Sequence, residues 1–141
     1  MENHKLFEKE LERLNLDLEK TEGEEEYVYI LKQPYEEINT NWLIFIDKKG
    51  FNNFIVATLL SIPESKKNYF LNFLNSLNEK YYNSTFFLNY DEENKNYRVR
   101  LQRCYACAPT DFNAKFFINL IFQTHSLLGE VIPQLIKAKY N

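Results

Sequence analysis

Apolar residues recur at helical spacing at the start of the chain. Leu6, Phe7, Leu11, Leu14 and Leu18 stand three or four apart with Glu and Lys between them. This pattern predicts an amphipathic helix from about Asn3 to Lys20. The period then changes. Residues 27–33 (YVYILKQ), 42–48 (WLIFIDK) and 51–60 (FNNFIVATLL) are rich in aromatic and β-branched residues, which predicts a three-stranded antiparallel meander. Pro34 lies in the first turn, and Lys48-Lys49-Gly50 reads as a hairpin connection.

Helical spacing returns with Phe70, Phe73, Leu74, Leu77 and Tyr81. Ser61, Pro63 and Glu64 read as the start of this second helix, with a capping box, and it ends near Lys80. Residues 84–90 (STFFLNY) and 96–106 (NYRVRLQRCYA) predict two more strands around the turn Asp91 to Asn96. Thr110 or Asp111 then caps a long third helix whose apolar positions include Phe117, Leu120, Ile121, Leu128, Val131 and Leu135. Gly129 and Pro133 are expected to bend it. The order α-β-β-β-α-β-β-α predicts an α+β fold, with an antiparallel sheet of about five strands and helices packed against it. At 141 residues the chain reads as one domain, 1–141.

The meander is apolar on both faces. Tyr27, Tyr29 and Leu31 alternate with Val28 and Ile30. Trp42, Ile44 and Ile46 alternate with Leu43 and Phe45. Ile55, Ala57 and Leu59 alternate with Phe54 and Val56. Helices cover one face; the other needs a further element, a second subunit or a partner. The expectation is that Tyr27, Tyr29, Trp42 and Ile44 lie at a subunit or partner interface.

Charge narrows the partners. Net charge is -3, which disfavours bulk nucleic-acid binding, where phosphate neutralisation supplies most of the affinity. The segment Glu2 to Glu26 is acidic and ends in Glu22-Gly23-Glu24-Glu25-Glu26. It reads as a solvated surface or as a docking surface for a basic partner. No run of ~18 apolar residues occurs to span a membrane, and no signal-peptide pattern opens the chain. The expected address is the cytoplasm, where thiols stay reduced.

The two cysteines stand as C-x-x-C in Arg103-Cys104-Tyr105-Ala106-Cys107. Thioredoxin-type chemistry needs the first one at a helix N-terminus, where the helix dipole and free N–H groups stabilise a thiolate. Both precede the helix here. A structural zinc site usually needs four ligands, and only His4, near a terminus expected to fray, and His125, expected to be partly buried in the third helix, could join them. They are therefore read as packing residues, with no metal and no cofactor. Gly23, Gly50 and Gly129 are isolated, so no phosphate loop forms, and no nucleophile stands with a His and an acid in a motif. Arg98, Arg100 and Gln102 alternate with Val99 and Leu101. Arg98 and Arg100 are either solvent-facing or an anchor for a partner carboxylate.

The element order resembles the type III secretion chaperone-like fold, and within it the YbjN-like group, over nearly the whole chain. The stretches that carry the resemblance are YVYILKQ and WLIFIDK as a first hairpin, IPESKKNYFLNFLNSLN as a Pro-led helix, STFFLNYDEENKNYRVRLQRC as the next hairpin, and GEVIPQL within the last helix. The resemblance implies a small, acidic bacterial protein that is often dimeric and binds other proteins. The expected function is a non-enzymatic protein-interaction, chaperone-like or regulatory domain with a protein partner or client, working as a homodimer. The alternatives are a small-molecule-binding domain or enzyme that uses a sheet-helix cleft, and an immunity-type inhibitor with an acidic surface.

Overall fold

A computed structural model describes residues 1–141. Three helices, α1 (Asn3–Arg13), α2 (Lys67–Lys80) and α3 (Ala114–Tyr140), join six strands. The strands are β1 (Glu19–Glu22), β2 (Glu26–Pro34), β3 (Asn39–Asp47), β4 (Asn52–Pro63), β5 (Thr85–Asp91) and β6 (Asn96–Ala106). They form one antiparallel sheet in the order β1-β2-β3-β4-β6-β5. The α+β class and the element order are as the pattern predicts, with one strand more.

The extra strand exists because α1 stops early. Asn15 adopts φ 57. Its N–H bonds Glu12 O at 3.0 Å, and the Leu16 N–H bonds Leu11 O at 2.9 Å. These are the two bonds of a Schellman motif with Asn in the left-handed position. The helix predicted to reach Lys20 therefore ends at Arg13, and Glu19–Glu22 turns back to pair with β2. Burial of Phe7 and Leu11 holds α1 down.

The Lys48-Lys49-Gly50 hairpin forms as expected. Gly50 takes φ 87, which a side chain would strain, and Asp47 accepts bonds from the N–H groups of Lys49, Phe51 and Asn52. The start of α2 differs. β4 continues through Pro63, so Ser61 pairs with Arg98 across the ladder and no capping box forms. Glu64 instead accepts a 2.9 Å bond from the Tyr90 hydroxyl. The α3 helix carries Pro133 inside it and is unbroken to Tyr140, and Asn113, rather than Thr110 or Asp111, caps it by accepting from Phe116 N. The Lys66 ammonium reaches the carbonyls of Ala138 and Lys139 near its end, where a cation suits the helix dipole.

One core holds the layers together. Helix residues Phe7, Phe70, Leu74, Phe117, Leu128 and Leu135 meet Tyr29, Trp42, Ile44, Ile55, Ala57 and Leu101 from the sheet. All of these sheet residues point to one face. Trp42 is fully buried, and its indole N–H donates to Thr40 Oγ1 at 2.8 Å. Thr40 in turn donates to Gln33 O, so the polar tip of the largest core side chain is satisfied. No helix is long and apolar enough to cross a membrane.

Candidate docking face of the sheet

The helices pack on one face only, and the strand register gives the other residue by residue. Across the sheet, Thr21, Val28, Phe45, Phe54 and Cys104 form one outward row. Glu19, Ile30, Leu43, Val56, Gln102 and Thr85 form the next, and Lys32, Asn41, Thr58, Arg100 and Phe87 a third. Val28, Ile30, Leu43, Phe45, Phe54 and Val56 therefore make a six-residue apolar patch on β2, β3 and β4. None of them packs against the core cluster. Leu43 is 37% exposed, and the other five are half-buried.

This corrects the choice of face. Tyr29, Trp42 and Ile44 are buried in the chain's own core at 1%, 0% and 0% exposure, so they are not available to a partner. Tyr27 shares that face and is covered by His4, whose ring stacks on it at 3.9 Å. The physical reason is that α1 and α3 together cover the side of the sheet that carries the larger aromatic residues. Tyr29 also donates its hydroxyl to Glu8 at 2.6 Å, where Lys20 meets the same carboxylate at 2.7 Å.

Arg98 and Arg100 do lie on the open face. Arg98 is held by Asp91 at 2.7 Å. Arg100 has no carboxylate; its Nε donates to Thr58 Oγ1 at 3.1 Å. Burial, with the charge of Arg98 beside it, pushes the Arg100 guanidinium below its ordinary value. Arg100 and the exposed Lys32, two cations without an ion pair at one border of the apolar patch, suit a partner that brings both apolar side chains and acids. A third arginine, Arg103, turns inward and donates to Thr124 Oγ1 at 3.2 Å.

The cysteines do not join. Cys104 lies exposed on the open face, and Cys107 directs its thiol at Gly50 O. Burial pushes the Cys104 thiol up, the opposite of what a nucleophilic thiolate needs. His4 is buried on α1 rather than frayed, and His125 is exposed rather than partly buried, with its Nδ1 2.9 Å from the Tyr35 hydroxyl. No three His, Cys, Asp or Glu side chains converge on a point. Glu24 and Glu25 are exposed at the β1–β2 turn, and Glu22 lies 3.6 Å from Lys48. Between sheet and helices there is an apolar pocket of about 260 Å³ lined by Leu11, Leu31, Trp42, Ile44, Ile118 and Ile121, with Gln33 and His125 on its wall.

The two sheet edges differ. Asn78 on α2 accepts from Phe86 N at 2.6 Å and donates to Phe86 O at 3.0 Å. These are the groups with which β5 would otherwise recruit another strand. At the opposite edge β1 is short, exposed and charged.

No family model matches the chain, and no curated protein matches it by sequence. By structure it is similar to the crystal structure of YbjN from E. coli, which is described as a candidate transcription regulator. The TM-score is 0.66 at 12% identity, over 92% of this chain and 87% of that one. The helix and strand order, the single antiparallel sheet and this match together give the chain a YbjN-like fold.

Proposed function

We propose that the chain is a non-enzymatic protein-interaction domain of regulatory or chaperone-like kind, and that partners dock on the open face of its sheet. The observation that carries this reading is the uncovered patch centred on Leu43 and Phe45, flanked by the unpaired Arg100. Apolar surface continuous over three strands is the usual mark of a docking site. A regulatory role is in keeping with the description of E. coli YbjN as a candidate transcription regulator. With a net charge of -3, action through protein contacts suits this chain better than direct binding to nucleic acid. The cytoplasm is its proposed location.

The test compares proteins retained from native lysate by wild type, by Leu43→Glu and by Gln123→Glu, a control on the exposed side of α3. A partner kept by wild type and the control but lost with Leu43→Glu, while circular dichroism reports an unchanged fold, supports the reading. Equal recovery by all three overturns it. A second reading rests on the apolar pocket against Trp42 and Ile44, which is large enough for a small apolar molecule. Perturbation of Trp42 fluorescence by a short-chain fatty acid would favour it.

A further inference from the structure

We propose that the pocket between the sheet and α3 binds an uncharged small amphiphile, with an apolar body of about eight carbons and a head that both donates and accepts hydrogen bonds. This is independent of docking on the open face, and it gives the apolar pocket its class of ligand.

The early end of α1 shapes one wall. The helix stops at Arg13, and the link to β1 places Leu16 and Leu18 beside the sheet. Opposite them α3 presents Ile118, Ile121, Phe122 and His125, spaced i, i+3, i+4 and i+7 and so on one side of the helix. Leu31 and Gln33 of β2 and Trp42 and Ile44 of β3 lie between these walls. Trp42, Ile44 and Ile118 are buried and form the floor, whereas Leu16, Phe122 and His125 are exposed and form the mouth. An apolar ligand would take Leu16 and Phe122 out of water, which favours occupancy.

The polar wall sets the head. Gln33 engages only its backbone carbonyl, as acceptor for the Thr40 hydroxyl, so its half-buried side-chain amide is available. The Tyr35 hydroxyl lies 2.9 Å from His125 Nδ1 and 3.1 Å from His125 O. It holds the imidazole in place and leaves Nε2 without a partner. That nitrogen accepts in one tautomer and donates in the other. A carboxamide matches the Gln33 amide and either tautomer, because it carries both a donor and an acceptor. No Asp, Glu, Lys or Arg lines the pocket. A carboxylate brought there would lose water without gaining a counter-charge. The site therefore selects a neutral head.

Volume sets the body. A dry cavity of roughly 150 Å³ takes benzene, with its six heavy atoms. In proportion, about 260 Å³ takes about ten. Octanamide has this size, and octanoate differs from it only in the head.

Trp42 is the one tryptophan of the chain and part of the pocket floor, so its fluorescence reads occupancy. At pH 8 octanamide is neutral and octanoate ionised. Octanamide should shift the emission saturably, with a dissociation constant below about 1 mM. Octanoate should bind roughly tenfold more weakly. Gln33→Leu should weaken octanamide roughly tenfold, because the head loses a hydrogen-bonding partner. Leu43→Glu should leave octanamide binding as in wild type. Circular dichroism confirms the fold of each variant. No saturable shift, octanoate bound as tightly as octanamide, or an unchanged affinity in Gln33→Leu overturns the proposal. Loss of the shift in Leu43→Glu also overturns it, since the ligand would then sit on the open face. Protein docking is tested separately, by recovery from lysate.

Discussion

Trp42 and Leu43 are neighbours in β3 and have opposite fates: the first is 0% exposed in the core, the second 37% exposed on the open face. Successive strand residues point to opposite sides, so the two test the two faces of one sheet. Trp42→Glu should abolish cooperative unfolding. It would bury an unpaired carboxylate among Tyr29, Ile44 and Ile121, and a truncated buried aromatic alone costs about 3–5 kcal/mol, a large part of the ~5–15 kcal/mol that holds a domain together. Leu43→Glu should change stability by less than about 1 kcal/mol and act on association instead. Urea titrations of both variants check this. Equal losses would mean that both faces are enclosed.

The double-sided pattern of the meander was legible in the residues; which side the helices cover was not. Strand alternation separates Trp42 from Leu43 but does not rank them, and the larger aromatic side chains fit either an interface or a core. The register carries the missing signal. Thr58 pairs with Arg100 and Ala57 with Leu101, so the basic face of β6 continues into the Leu43 face, while Val99 and Leu101 continue into the Trp42 face. Pairing of β4 with β6, across the intervening α2 and β5, is not readable from local spacing. The end of α1 was missed for a different reason. Leu14 and Leu18 keep the helical period, yet Leu14 already caps the helix and Leu18 lies beyond it. Asn15 ends it by backbone geometry that hydropathy does not register. Apart from the added β1, the strand and helix order follows from the pattern, because it depends on element type rather than on boundaries.

Asn15 itself is therefore a point of stability. Its φ of 57 is left-handed, which costs an ordinary L-residue roughly 1–2 kcal/mol and Asn or Gly much less. Asn15→Ala should lower the unfolding free energy by about 1 kcal/mol, and Asn15→Gly should leave it nearly unchanged. Thermal melts of the pair decide between strain and side-chain packing as the source. A loss for Gly as large as that for Ala would point to packing.

Asn78 should protect against aggregation as well as unfolding. It bonds both backbone groups of Phe86 on the outer edge of β5. Asn78→Ala leaves them unpaired, at a cost of about 1–3 kcal/mol, and opens a strand edge. Chemical denaturation should report the loss, and light scattering at raised concentration should report association that wild type lacks. Asn78→Asp keeps an acceptor for the Phe86 N–H and loses the donor, so it should fall between the two.

The Cys104 thiol should be slow. Cys104 is exposed, but burial around its sulfur pushes the thiol above its ordinary value of 9.0, leaving little thiolate at pH 7. Alkylation by iodoacetamide should therefore be slower than for a free cysteine and should accelerate as pH rises toward 9. The double variant Cys104→Ser with Cys107→Ser should melt within about 1 kcal/mol of wild type. Fast alkylation of Cys104 at pH 7 would contradict the raised thiol.

Glu8 ties α1 to the sheet, and its contribution should depend on pH. Burial pushes its carboxyl up, but hydrogen bonds from Lys20 and Tyr29 outweigh burial, and the group ends below the ordinary 4.5. A carboxyl depressed in the folded state stabilises that state above the unfolded value and loses the contribution as pH falls through the folded one. The lysine partner is part-exposed, so solvent screening limits the gain to less than about 1 kcal/mol at pH 7. Glu10, Glu22, Asp47 and Asp91 are depressed as well, and the acid limb of wild type alone sums them all. The difference between wild type and Glu8→Gln isolates one. It should be positive and constant at neutral pH, and it should begin to close as pH drops below 4.5. A difference that stays constant through the acid range would mean that shape and hydrogen bonding at Tyr29, rather than the charge, hold α1 in place.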